Sequence, residues 1–441
     1  MGGLAASRHN IIGRVRDSDA WYVVNLLAGS ADMLTAGEAA RLREGRPDDE
    51  GAFVSRGYLV DPEEEECRYR QAYLDFLDAR ERDEVQLFFV PWYGCNFACD
   101  YCYQSGYSAS VVVPGPEVLD AFFAHVDREL AGRRKYVTLF GGEPLLPGPT
   151  VRAMLEGFVE RSAARGIELA VVTNGYHLQS ALPVLRGARL REVQVTLDGP
   201  REVHDRRRPL RGGGGTFDAI VAGIDAALAA DVPINLRAVV DRENLEALPA
   251  LAALAREHGW TGHPRFKTQL GRNYELHHCH AAPQRLFTRL ELYEALFELT
   301  RRRPEVLEFH RPAYSISRFL FENGETPPPL FDACTGCKTE WAFDGAGRIY
   351  ACTATVGKDG EELGTFWPTV SRNDAAIAEW EDRDVLGIEA CRSCEQRLAC
   401  GGGCAAVAKN RTGDLHAPDC RPIRELLGLG VAAYAPPEVT G

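Results

Sequence analysis

Between about Val85 and Thr300 the chain alternates short apolar runs with stretches whose apolar positions recur every three to four residues. The runs at 85–91, 135–140, 167–172, 191–197, 232–239 and 263–270 have the length and branched aliphatic content of strands. The stretches at 116–131, 151–164, 176–186, 217–230, 244–257 and 284–300 carry the helical period. A strand followed by a helix, repeated along the chain, predicts a parallel sheet, because parallel neighbours need a long crossover connection. The repeats fall short of the eight units that close a barrel. The expected fold is therefore α/β, an open partial (β/α)6 barrel, with its functional groups on the loops after the strand C-termini.

The flanks differ. Residues 1–82 read as a small α+β unit, with an alternating apolar segment at 21–27, a helix at 36–44, a short strand at 57–60 and the acidic run 63–66. The barrel takes 83–326. From 327 to 441 the helical period gives way to Gly- and Cys-rich sequence with too little apolar content for a core of its own, which predicts a region organised by bound metal.

Composition narrows the chemistry. The 50 Lys+Arg against 63 Asp+Glu leave a net charge of −13, which disfavours a partner held through phosphate charge, so no nucleic acid is expected. No apolar run reaches the roughly 18 residues that span a bilayer, and charges spread through the first twenty residues leave no secretory segment. The reading is cytoplasmic, with no membrane partner. In a reducing compartment the 13 cysteines point to metal or redox chemistry before disulfides. Three of them, Cys95, Cys99 and Cys102, follow the first strand. Eight lie between Cys334 and Cys420, and Cys67 and Cys279 stand alone.

The run Cys95-Asn96-Phe97-Ala98-Cys99-Asp100-Tyr101-Cys102 sets three thiolates in one loop at the catalytic end of the sheet. A cubane iron–sulfur cluster takes four, so three leave one iron open to another ligand. The Cys99–Cys102 spacing alone also suits a zinc knuckle completed from elsewhere, and the C-terminal Cys-x-x-Cys pairs suit zinc ribbons, since such pairs do not distinguish metals. Gly141-Gly142-Glu143-Pro144 follows the second strand, Thr173-Asn174-Gly175 the third and Thr196-Leu197-Asp198-Gly199 the fourth. His204, Asp205 and Arg208 precede the glycine run 212–215. A guanidinium suits two-point contact with a carboxylate, while the run 206–208 equally reads as a solvated arginine stretch beside a flexible loop.

The three-cysteine loop after the first strand, with Tyr101 before its last cysteine, resembles the radical S-adenosylmethionine superfamily. That resemblance implies a 4Fe–4S cluster on Cys95, Cys99 and Cys102. It also implies an S-adenosylmethionine site in which Gly141, Gly142, Glu143 and Pro144 meet the methionine amino group, Asn174 and Asp198 lie where ribose and carboxylate contacts fall, and Arg208 is a candidate clamp.

Farther on, Cys337, Gly347, Cys352, Cys391, Cys394, Cys400, Cys404 and Cys420 follow the spacing of the SPASM extension found in such enzymes, with Cys334 upstream. By resemblance Cys334, Cys337, Cys352 and Cys404 would hold one auxiliary 4Fe–4S cluster and Cys391, Cys394, Cys400 and Cys420 a second, making three in all. The implied activity is that of a maturase whose 5′-deoxyadenosyl radical modifies, by oxidative crosslinking, a ribosomally made precursor peptide. An electron donor such as flavodoxin or ferredoxin would serve it, and residues 1–82 are a candidate holder of the leader peptide. No acid or base is assigned. A maturase that oxidises a sulfatase side chain is the rival within the same chemistry, but there Asp typically follows the cysteine matched by Cys352, and here Thr353 does. A zinc-binding interaction protein is the rival outside it. Cys67 reads as a structural thiol, and Cys279, within the histidine run 277–280, as a residue outside the clusters.

Overall fold

The computed structural model describes residues 3–46, 50–272 and 283–436. The N-terminal unit holds strands β1 (Ala5–Ala6), β2 (Ile11–Arg14), β3 (Trp21–Asn25), β4 (Ser30–Leu34) and β5 (Leu59–Val60). The alternating segment becomes β3, the centre of an antiparallel sheet in the order β2-β3-β4, while β1 pairs with β5. The acidic run is the first turn of a helix, Pro62–Arg82, capped by the Asp61 carboxylate, which accepts from Glu63 N–H at 2.8 Å. Acidic side chains suit that end because the first-turn N–H groups present partial positive charge.

The predicted strands form β6 (Val85–Val90), β7 (Lys135–Leu139), β8 (Glu168–Thr173), β9 (Leu190–Thr196), β10 (Ile234–Val240) and β11 (Phe266–Arg272), each parallel to its neighbour. Their alternate residues face opposite ways. Leu87 and Phe89 of β6 join Val137, Leu139, Val171 and Val193 in the main core beneath the helices Pro116–Glu129, Pro149–Ala164 and Phe217–Ala229. Phe88 and Val90 turn to the barrel interior and pack with Ala342 and Tyr350.

Residues after 327 extend this sheet. β12 (Glu340–Asp344) lies parallel to β6, in register from Glu340 opposite Gln86 to Asp344 opposite Val90. The antiparallel strands β13 (Arg348–Tyr350), β14 (Gly364–Thr365) and β15 (Ser371–Arg372) complete ten strands. Helical structure also returns, at Asp374–Glu381, Ala405–Thr412 and Ile423–Tyr434, contrary to the sequence expectation. Two of these helices are eight residues long, too short for their period to stand out among glycines and cysteines.

The N-terminal unit and the cysteine region share a core. Ile11, Tyr22, Val24 and Tyr69 pack with Val385, Ile388, Leu398 and Leu427. Phe331 sits at the centre of the contact, with the rings of Tyr69, Tyr73 and Phe76 at 5.2, 5.3 and 5.6 Å. Among the described residues no helix is long and apolar enough to cross a membrane.

Candidate active site

Past Val90 the chain leaves β6 and enters the loop of Cys95, Cys99 and Cys102, all three partly buried. The loop is held from outside by the segment that ends the helix Arg201–Arg207. Ala98 N–H donates to Pro209 O at 2.8 Å, and Asp100 N–H donates to Arg207 O at 3.2 Å. Arg211 donates from its N–H to Asn96 O at 2.9 Å and from Nε to Cys95 O at 2.8 Å. Two donors already face the Cys95 sulfur, Phe97 N–H at 3.4 Å and Asn174 Nδ2 at 3.7 Å. Burial, with the neighbouring cysteines adding to it, pushes the Cys99 thiol up to about 12 and raises Cys95 as well. Since only a thiolate ligates metal, occupancy of this loop must expel protons.

The segment 141–144 packs directly on this loop. Gly142 has φ +48, and a Cβ there would lie 2.3 Å from Gly94 O; one on Gly141 would lie 2.5 Å from Val90 Cγ1. Glycine is thus required by the approach of two loops. Glu143 is wholly buried, and its carboxylate accepts from Leu145 N–H at 2.8 Å, Thr173 Oγ1 at 2.7 Å and Asn174 N–H at 2.6 Å. Burial raises its carboxyl, against the pull of the Asn174 N–H and the other donors. A carboxylate offers about four acceptor positions, so one remains for a ligand. The expectation of a pure ligand contact changes accordingly, because Glu143 first clasps the ends of β7 and β8 together.

Asp198 is likewise wholly buried, beneath the site. It accepts from Tyr101 OH at 2.6 Å, Arg207 Nε at 3.2 Å and Val239 N–H at 2.9 Å. Arg207, also fully buried, reaches both oxygens of Asp241 at 2.9 Å. Tyr101 OH accepts from Arg208 Nη1 at 2.7 Å and so relays the Asp198 charge to that guanidinium. Asp198 therefore works through Tyr101 and Arg208. The solvated-arginine reading fails for Arg207 and Arg208 and holds for Arg206 alone. Asp205 accepts from Thr216 N–H at 2.7 Å and Phe217 N–H at 2.9 Å and so caps the helix after the glycine run. His204 accepts from Asp198 N–H through Nδ1 at 3.1 Å, and burial holds its pKa down at about 4, which keeps it neutral.

Around the loop, four buried polar atoms lack partners among the described residues: Asn96 Nδ2, Gln104 Nε2, Tyr107 OH and Arg208 Nε. Buried donors left unmet are costly, so these fit a ligand rich in acceptors, such as carboxylate and hydroxyl oxygens. Sequence reasoning missed Asn96, Gln104 and Arg207. Arg207 was hidden in a charged run whose burial only the tertiary fold decides.

The eight C-terminal cysteines separate into two groups. Cys334, Cys337, Cys352 and Cys404 lie in one apolar cluster with Trp380 and Leu415. Cys391 and Cys400 lie in the core shared with the N-terminal unit, with the charges of Cys394 and Cys420 near enough to Cys391, and that of Cys420 to Cys400, to interact. Burial raises Cys337 and Cys352 and pushes Cys391 up to about 11. The glycines 401–403, at φ +60, +73 and +72, carry the chain from one group to the other. A Cβ on Gly403 would lie 2.0 Å from Asp419 O.

Among the described residues no three of these groups converge as tightly as ligands of one ion. A cubane spreads its thiolates over separate irons. Cys67 is exposed on the Pro62–Arg82 helix, against the expectation of a structural thiol, while Cys279 and its histidine neighbours lie outside the described residues.

Residues 89–255 match the Radical SAM superfamily. The chain is 30% identical to the AdoMet-dependent heme synthase of Methanosarcina barkeri over 41% of its own length, and spans half the length of that relative. It is 27% identical to the mycofactocin maturase MftC of Mycolicibacterium smegmatis over 74% of its own length and 79% of the relative's. Among solved structures, anSMEcpe with bound AdoMet superposes with a TM-score of 0.62 at 19% identity, covering 81% of this chain and 98% of the other. Streptococcus suis SuiB bound to its precursor peptide SuiA gives 0.50 at 13% identity, covering 95% and 99%. At these identities the two structures establish the fold alone.

Proposed function

We propose, from the premise that this chain carries a radical SAM domain and is an enzyme of that kind, that it is a maturase using S-adenosylmethionine and three 4Fe–4S clusters to crosslink a precursor peptide oxidatively. The observation that carries the reading is the placement of the thiols: three follow β6, and eight stand in two groups, Cys334 and Cys337 just before β12, the strand paired with β6, and the other six after it. S-adenosylmethionine fits the unmet donors at the first group, and Arg208 suits its carboxylate. When bound, cluster and cofactor together supply a radical able to take a hydrogen from a substrate carbon.

The protein's own contribution is positional. Cys95, Cys99 and Cys102 would hold three irons of a cluster and leave the fourth open. Tyr101 and Asp198 aim Arg208, Glu143 fixes the two loops beside it, and Gln104 accepts from Gly142 N–H at 2.9 Å while its buried Nε2 is left to meet a ligand. Cys334, Cys337, Cys352 and Cys404, with Cys391, Cys394, Cys400 and Cys420, would hold two auxiliary clusters with every iron ligated by protein, which would supply one-electron chemistry there.

MftC is named a maturase, and SuiB was solved with its precursor peptide. In this chain β2 and β4 are the edges of the N-terminal sheet, and an extended leader segment can add to such an edge through backbone hydrogen bonds. The sulfatase-type alternative lacks its carboxylate. Thr353 stands at that position, donating to Glu340 from its N–H at 3.0 Å.

Anaerobic reconstitution should give about twelve irons per chain, and Cys95, Cys99 and Cys102 all changed to Ala about eight, with cofactor cleavage abolished. A reduced flavodoxin or ferredoxin should support turnover. A peptide encoded beside the gene should lose two hydrogens by mass spectrometry. Retained cleavage in the triple variant, or turnover of a small metabolite with the peptide untouched, would overturn the reading.

A further inference from the structure

Arg383 follows the helix Asp374–Glu381 and is fully buried. Its guanidinium donates to four backbone carbonyls: Nε to Leu415 O at 2.7 Å, Nη1 to Gly403 O at 3.2 Å, and Nη2 to Gly402 O at 2.9 Å and Ala417 O at 3.1 Å. No described carboxylate forms an ion pair with it. Asp332, the acid that feels its charge, is already paired with Lys338. Carbonyl dipoles take up four of the five N–H donors of Arg383 but do not neutralise it, and a buried cation without an anion is costly.

The acceptors indicate what the charge is for. Gly402 and Gly403 join Cys400 of one group to Cys404 of the other, and the segment holding Leu415 and Ala417 leads to Cys420. Cys391, of the second group, lies within reach of the same charge. The guanidinium therefore stands at the seam between the two quartets, each of which becomes anionic once its thiols give up their protons to hold iron.

We infer that Arg383 is the shared counter-cation of the two auxiliary clusters: a positioning residue that ties their loops together and favours their reduced state by its charge. The inference rests on the reading of the eight cysteines as two cubanes. The step it influences is the simplest one available. A cluster takes one electron, delivered by the substrate or the donor protein, no bond forms or breaks, and one negative charge is added beside a fixed positive one.

The test uses the full chain with Cys95, Cys99 and Cys102 changed to Ala, so that only auxiliary clusters contribute to the electron paramagnetic resonance signal during a redox titration. Arg383→Gln keeps donors for the carbonyls and loses the charge; Arg383→Lys keeps the charge and loses the fork. The Gln variant should shift the reduction equilibrium toward the oxidised form by about tenfold, which is 59 mV for one electron. The Lys variant should stay within about threefold of the parent, a shift under about 28 mV, while melting at a lower temperature. An unmoved potential in Arg383→Gln, or a fall in Arg383→Lys as large as the one expected of Gln, overturns the inference. Should the Gln variant fail to load iron, the Lys variant decides alone: a parent-like potential supports the counter-charge role and a fallen one defeats it. A parent protein holding far fewer than about eight irons would defeat the two-cubane reading itself, and is seen before any potential is measured.

Discussion

Glu143, Arg208 and the buried histidines are where single side chains decide outcomes. Glu143→Ala leaves Leu145 N–H, Asn174 N–H and the Thr173 hydroxyl without their acceptor, and unmet buried donors cost about 1–3 kcal/mol each. The expected result is a clear fall in the denaturation midpoint of the metal-free protein, with poorer iron loading following from the loosened loop. A variant as stable as the parent would return Glu143 to a ligand-only role. Arg208→Ala should spare iron content and weaken S-adenosylmethionine binding by roughly 10- to 100-fold, the worth of one charged hydrogen-bonding partner, measured by calorimetry on the loaded enzyme. Iron lost in step with binding would make Arg208 structural. His9 is buried against Tyr69, and burial followed by Arg397 and Arg8 lowers its pKa to about 3; His204 lies at about 4. Both are neutral when folded and take a proton more readily when unfolded. Stability is therefore complete above pH 6.5 and declines as pH falls from there toward 3 and 4, by up to about 1.4 kcal/mol per unit for each histidine. Urea titrations of the parent and His9→Gln at pH 7 and pH 5 check this, and equal pH slopes would count against it.

At the scale of elements, what could be read in advance was what local pattern encodes. The strands β6 to β11 lie within three residues of their expected bounds because each is an apolar run closed by polar turns. The place of the cysteine loop was legible for a related reason, because it directly follows an apolar run. The helix Arg201–Arg207 was not read, because seven residues with five charged side chains and one histidine look like loop, and Arg207 is buried only because Asp198 and Asp241 arrive from two other strands to meet it. Nor was β12 read, since nothing in five residues says that they will pair with a strand formed far upstream. The long N-terminal helix shows what such pairing does. Phe331→Ala removes the ring that Tyr69, Tyr73 and Phe76 enclose and should cost about 3–5 kcal/mol. Because Cys391 and Cys400 share that core, iron at the second auxiliary group should fall with it. A loss of stability with full iron retained would show the two to be independent.

For the whole molecule, the shared core changes how the N-terminal unit can be tested. Deleting residues 1–82 would expose Val385, Ile388 and Leu427 as well as removing any leader-binding edge, so substitutions at Asp32 and Met33, half-buried on the edge strand β4, are the cleaner probe of peptide binding. The ten-stranded sheet has a further consequence, in time. β6 stands inside the sheet with β12 on one flank, and β12 leaves the ribosome roughly 250 residues after β6, which at about 5–20 residues per second leaves that flank bare for about 10–50 s. Throughout that interval the nascent chain displays an unpaired apolar edge directly before the loop that will receive its first iron. Slower synthesis lengthens that exposure and faster synthesis shortens it, so the rate of translation bears on whether the open edge meets a wrong partner before β12 arrives.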